Sequence, residues 1–159
     1  MMSRLLGKEL PQALFDRLAA EDASVHEGKI IPIFTPGEDG WPHPALLSYY
    51  EVVAKEPSVL EMALWKESST AANLRRSGKV TIMITDRGIN CYLKGNVAQL
   101  EQEMSGAPQV SRFRVTIESL LEDQEPNAEI TSGMTYTRRA ARQANDFSVK
   151  VWRLLRAAR

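Results

Sequence analysis

Three hydroxyl side chains, Ser68, Ser69 and Thr70, stand together in "WKESSTAANLRRSG", with Lys66 two positions before them. "STAANLRRS" reads as a short helix stopped by Gly78. The first N–H groups of a helix have no partner and carry a partial positive charge, so hydroxyls beside them make a ready anion site. The same residues also suit simple capping, since Ser and Thr are favoured N-caps. From spacing alone both readings stand, and capping is the commoner. The segment lacks the glycines of a GxxxxGK[ST] loop, so nucleoside triphosphate hydrolysis is not indicated.

Other reactive residues are sparse. His26 and His43 are the only histidines and Cys91 the only cysteine, so no zinc spacing and no internal disulfide exist. Cys91 shares a strand face with Leu93 and Val97 and reads as a small buried hydrophobe. His43 follows "GWP" as a turn residue, and Ser48 has no GxSxG elbow around it. Trp41, Trp65 and Trp152 read as packing or interface residues. Formal net charge is zero, which gives no general pull toward nucleic acid or membrane. Residues 101–129 carry seven acids against two arginines, and residues 138–159 carry six arginines and one lysine against Asp146. These runs read as solvated faces; a nucleic-acid-binding barrel would also need interleaved aromatics, which the basic segment lacks. No secretory h-region and no eighteen-residue apolar run are present, so the expectation is a cytoplasmic protein without membrane contact.

The elements that must position these groups follow from pattern. A chain of 159 residues suits a single domain, with a barrel core at about 29–133 and a C-terminal helical segment at about 138–159. "LPQALFDRLAAED" repeats Leu every four residues and predicts a helix. "GKIIPIFT", "ALLSYYEVVA", "SVLEMALW", "KVTIMITD", "CYLKGNVAQLEQEM" and "RFRVTIESLLED" predict six strands. Pro32 points to an edge or bulge in the first of these, and Gly95 to a bulge or close backbone approach. "AEITSG" reads as a further short strand, and "NDFSVKVWRLLRAAR" as a helix, with a strand as the alternative. Short turns between strands predict a mainly β, six-stranded antiparallel split barrel, with one helix inserted and helices flanking both ends.

Over residues 30–123, "DGWPHPALLSYYEVV", "LEMALWKESSTAANLRRSGKVTIMI" and "YLKGNVAQL" resemble the pyridoxamine 5′-phosphate oxidase-like family of FMN-binding split barrels. The resemblance implies a homodimer with FMN, or alternatively FAD or a deazaflavin, between the subunits. It implies that the strand holding Leu47, Ser48 and Tyr49 lies along the flavin, and that Ser68, Ser69 and Thr70 hold the phosphate. It places Asn90 against the flavin of the partner subunit and Trp65 at the border of the ring. Ser69 and Thr70 replace an Arg and a Lys of the family pattern, which leaves Lys66 and Arg75 as compensating cations. The Arg-x-His signature of the vitamin B6 oxidases is missing, so pyridoxamine phosphate is not the expected substrate. The implied activity is that of a flavin-dependent oxidoreductase acting on a small molecule. A flavin-binding carrier, sensor or stress protein is the alternative, and no catalytic side chain is assigned.

Overall fold

Alternating apolar residues in the middle of the chain have one buried face to satisfy, and they do so in a single antiparallel sheet. The computed structural model describes residues 2–159. Its strands are β1 (Met2–Gly7), β2 (Ile30–Pro36), β3 (Pro42–Ser48), β4 (Val52–Glu56), β5 (Val59–Trp65), β6 (Lys79–Asp86), β7 (Ile89–Glu101) and β8 (Val110–Gln124). The helices are α1 (Gln12–Leu18), α2 (Ser69–Ser77) and α3 (Phe147–Ala157), with a 3-10 turn at Ala23–His26. The sheet therefore has eight strands rather than the expected six, in the order β3-β2-β6-β7-β8-β5-β4, with β1 added along β8.

The two extra strands have distinct causes. β1 pairs only with the far end of β8, from Met2 opposite Gln124 to Gly7 opposite Leu120. "ALLSYYEVVA" is two strands, because the chain turns through Tyr49–Glu51. The Glu51 carboxylate holds that corner by accepting from the Ser48 amide at 2.7 Å and the Ser48 hydroxyl at 2.9 Å. This corner joins β3 to β4, the two ends of the sheet order, so the sheet's edges converge there. Among the described residues no ladder links β3 to β4. At the other end α2 packs against β2, β3, β5 and β7.

Pro32 lies in β2, which is not an edge strand. It is tolerated because the β2–β6 ladder comprises only Ile33 and Phe34, so no bond is asked of its missing N–H on that side. Gly95 does sit at a register shift: Lys94 opposes Ser119 but Gly95 opposes Ile117, which leaves Glu118 as the extra residue of a bulge. A side chain at Gly95 would put its Cβ 2.2 Å from Val115 Cγ1.

Inside the sheet, Ile31, Ile33, Leu60, Met62, Ile82, Leu93, Phe113 and Leu120 are fully buried, and α1 adds Leu14 and Leu18. Each such side chain contributes about 1.5–3 kcal/mol by leaving water. Cys91 is buried among them, and burial raises its thiol pKa, with Glu122 adding to the effect. α3 closes a second, smaller core of Val53, Ala63, Val110, Val151 and Leu155. The helical reading of residues 147–157 holds over the strand alternative. Among the described residues no helix is long and apolar enough to cross a membrane.

Between β8 and α3 the chain runs without regular structure, and "AEITSG" forms no strand. Its groups bond singly instead: the Gly88 amide donates to Ile130 O (2.9 Å) and the Ile30 amide to Met134 O (3.0 Å). Gly133 presses so closely on β6 that a Cβ there would lie 1.8 Å from the Thr85 carbonyl oxygen. This strap is pinned by Glu27, whose carboxylate accepts from Arg142 Nε (2.7 Å), Tyr136 OH (2.7 Å) and Tyr50 OH (3.1 Å). Arg142 and the two tyrosines hold the Glu27 carboxyl down at about 2, against the effect of burial. Burial pushes the Tyr50 phenol up to about 12, and Glu27 adds to the shift.

Candidate functional site

α2 starts where β5 ends, after a turn in which the Ser68 amide donates to Trp65 O at 3.0 Å. Of the three hydroxyls, Ser68 is the N-cap: its Oγ accepts from the Ala71 amide at 3.1 Å. The capping reading therefore holds for Ser68. Ser69 and Thr70 occupy the first helical positions, where N–H groups have no intrahelical acceptor. Ser69 is exposed and Thr70 is buried. Gly78 ends the helix in the left-handed conformation, φ 61°, as its position predicts.

Two contacts fix the direction of α2. Asn73, buried, donates to Thr35 Oγ1 of β2 at 3.0 Å, and Arg76 reaches the Pro36 carbonyl at 2.5 Å. Arg75 lies across the base of the turn. It donates to Lys66 O (2.9 Å), Gln99 Oε1 (2.6 Å) and Ser111 Oγ (2.8 Å). It thereby holds the backbone just before the hydroxyl run. Lys66 pairs with Glu103, and that carboxylate is 59% exposed. Neither cation is uncommitted, but the Lys66 pair is a surface pair and exchanges at little cost.

The remaining predicted residues fall into separate groups. Trp65, 58% exposed, stacks on Phe147 of α3 with centroids 5.4 Å apart and planes at 18°. With Lys66 and Glu67 it lines a shallow cleft of about 360 Å³ whose other wall is Pro108 and Gln109. Leu47, Ser48 and Tyr49 are at the sheet corner. Leu47 is buried, Ser48 bonds Glu51, and the Tyr49 hydroxyl accepts from Arg17 Nε at 2.7 Å. Asn90 is buried at the start of β7. Its amide donates to Tyr92 OH and to Asp123 O, both at 3.1 Å, and its carbonyl accepts from Thr85 Oγ1 at 3.0 Å. The structure thus brings together Trp65, Lys66, Ser68, Ser69, Thr70 and Arg75. It leaves the corner residues and Asn90 apart, each in its own bonds.

Burial disturbs several groups near the corner. It raises the Glu51 carboxyl pKa even though Ser48 donates to it. It lowers the His26 pKa, helped by the charges of Arg17 and Lys29. Asp86 is held at about 2, since Lys29, the Arg87 amide and Arg17 outweigh its burial. His26 stacks on Tyr49 at 4.4 Å. Sequence reading missed this cluster, because its members come from residues 17 to 86 and share no motif.

YclD of Bacillus subtilis, an uncharacterized protein, is 32% identical to this chain over 121 residues, spanning 76% of the chain and 79% of YclD. No family model matches the chain. Among solved structures, a candidate pyridoxamine 5′-phosphate oxidase of Lactobacillus delbrueckii superposes with a TM-score of 0.58 at 15% identity, covering 75% of this chain and 98% of that one. A Clostridium acetobutylicum protein related to general stress protein 26, of the pyridoxinephosphate oxidase family, superposes with a TM-score of 0.51 at 15% identity, covering 64% of this chain and 83% of that one.

Proposed function

Because the chain belongs to the family of YclD and has the pyridoxamine 5′-phosphate oxidase-like split-barrel fold, we propose that it binds FMN and acts as a flavin-dependent oxidoreductase on a small molecule. The observation that carries this reading is the first turn of α2. Ser68 satisfies the Ala71 amide, while the Ser69 and Thr70 amides and the exposed Ser69 hydroxyl remain as neutral donors at a positive helix end. These groups fit a phosphate. Lys66 joins them when it leaves Glu103, and Arg75 acts as a positioning residue through the Lys66 carbonyl. Bound flavin would supply hydride chemistry, and the protein would bind and orient it. FAD or a deazaflavin is the alternative cofactor.

The site is completed by a second copy in this reading. Among the described residues β3 bonds only β2, which leaves its other edge open, and Leu46 on it is 57% exposed. Trp41, just before it, is 74% exposed. Light scattering at micromolar concentration is expected to give a dimer, and a monomer would reject the shared site.

The cofactor test compares FMN with riboflavin, which lacks the phosphate. Hydrogen bonds to a charged group contribute about 1.5–3 kcal/mol each. Ser69→Ala, which removes the exposed hydroxyl and keeps the amides, should therefore weaken FMN by about tenfold or more and leave riboflavin unchanged. Equal affinity of the unaltered protein for the two ligands would reject the phosphate cradle. The visible spectrum of the purified protein, and release of any chromophore, identify which flavin it carries.

A further inference from the structure

A second concavity, of about 450 Å³, lies on the outer face of the sheet. It is of the size and kind that takes small molecules. A row of four residues crosses its floor. Phe34 of β2 opposes Thr81 of β6, Thr81 opposes Lys94 of β7, and Lys94 opposes Ser119 of β8. Directly opposed residues project on one face about 4.5–5.5 Å apart, so a lysine stands between two hydroxyls with an aromatic ring at the end of the row. The β2–β3 hairpin supplies a wall through Pro36 and Pro42. The bulge at Glu118 falls beside the row, and a bulge re-aims side chains where a regular ladder would not.

Charge in the row is not balanced. Glu118, the acid at its margin, pairs with Lys8 at 2.8 Å in a surface pair and accepts from Asn96 Nδ2 at 3.4 Å. Lys79 donates to Asn96 Oδ1 at 2.8 Å. Among the described residues no hydrogen bond or ion pair engages the Lys94 ammonium group. We propose that this row is a binding site for a small organic carboxylate with an apolar body. The carboxylate would sit on Lys94 between Thr81 and Ser119, and the apolar body on Phe34. One unpaired cation matches one carboxylate charge, and a charge-assisted bond beside an apolar wall is stronger than the same bond in open water. The site stands apart from the flavin reading. Its hairpin wall is tied to Asn73 and Arg76 of α2, beyond the turn that holds Ser68–Thr70.

Benzoate, benzyl alcohol and acetate serve as probes in an amide-resolved NMR titration of the intact protein. Benzoate should saturate, with shifts centred on Lys94, Gly95 and Ser119, and bind about tenfold more tightly than benzyl alcohol or acetate. Lys94→Met should bring benzoate down to the level of benzyl alcohol, and Lys94→Arg should restore most of the difference. Lys94 is exposed, so neither change threatens the fold. The proposal is overturned by benzoate and benzyl alcohol binding alike, by shifts that map elsewhere, by Lys94→Met leaving benzoate unaffected, or by no saturation up to about 10 mM.

Discussion

The first turn of α2 and the C-terminal part of the chain treat polar groups in opposite ways. In the first turn of α2 the Ser69 and Thr70 amides and the Ser69 hydroxyl are neutral donors outside the helix's own bonds. The C-terminal part is fastened by charge: Arg142 to Glu27, Arg138 to Asp146, and Arg156 to the Glu21 carbonyl. Below α3, Lys55 donates to the carbonyls of Leu155, Arg156 and Ala158. Beside it Arg112 binds Glu61 with Nε at 2.8 Å and Nη2 at 3.1 Å, and reaches the Arg159 carbonyl. The arginine-rich segment is thus turned toward its own chain. Density of charge in the C-terminal part marks attachment within the chain.

The strongest test of the contrast is Glu61→Ala. Glu61 is fully buried and accepts from both Arg112 and Arg114, so its loss strips Arg114 of its ion pair and leaves Arg112 beneath α3 with Glu101 alone. Breaking one partner of a buried pair costs about 3–5 kcal/mol, measured here by urea denaturation. The joint replacement Glu61→Leu, Arg112→Met should recover most of that loss. No loss in Glu61→Ala would mean that Arg112 is served by Glu101 alone, which lies 3.0 Å from it.

Ser68→Ala gives the smaller effect expected of a cap, about 1 kcal/mol of folding stability. It should not change the ratio of FMN to riboflavin affinity. If it does, the division between a capping Ser68 and a ligand-facing Ser69 fails.

The smallest effect is a pH dependence at Glu27. Its carboxyl is held at about 2 against an ordinary 4.5. A depressed carboxyl pKa contributes stability above the unfolded value and loses it as pH falls toward the folded one. Glu27→Gln should therefore be less stable than the unaltered protein at pH 7, and the two should converge as pH drops from about 4.5 to about 2. Circular dichroism melts across that range read the difference. About a third of the side chain is wet, so the gap is small; a gap that widens in acid would remove Glu27 as the fastener.

Much of this plan is legible in sequence where the signal is local. α2 is bounded by Ser68 and Gly78, and α3 shows one apolar stripe through Val151 and Leu155. β6, β7 and β8 alternate cleanly. Where structure depends on distant partners, the pattern is silent. "MSRLLG" has no alternation and becomes a strand only because β8 offers an edge. "ALLSYYEVVA" reads as one apolar run because its corner is made by a Ser48–Glu51 contact rather than by Gly or Pro. At the site, the hydroxyl run is visible, but the engagement of Lys66 by Glu103 and of Arg75 by Gln99 and Ser111 joins residues far apart in sequence. The Lys94 row is invisible for the same reason, since its members come from four strands.

The pairing of β1 with β8 also sets a schedule for synthesis. Ser3 and Asp123, bonded at 3.1 Å, are 120 positions apart. At a translation rate of about 5–20 residues per second, the first strand is synthesised roughly 6–24 s before its partner. During that interval its backbone N–H and C=O groups have no sheet edge to join, and Leu5, 66% exposed even in the finished protein, gives it little to bury. β1 can therefore join the sheet only once β8 has been made. A nascent chain stalled before residue 120 should carry its first strand loose and open to proteases, with β2, β3 and β6 able to pair behind it.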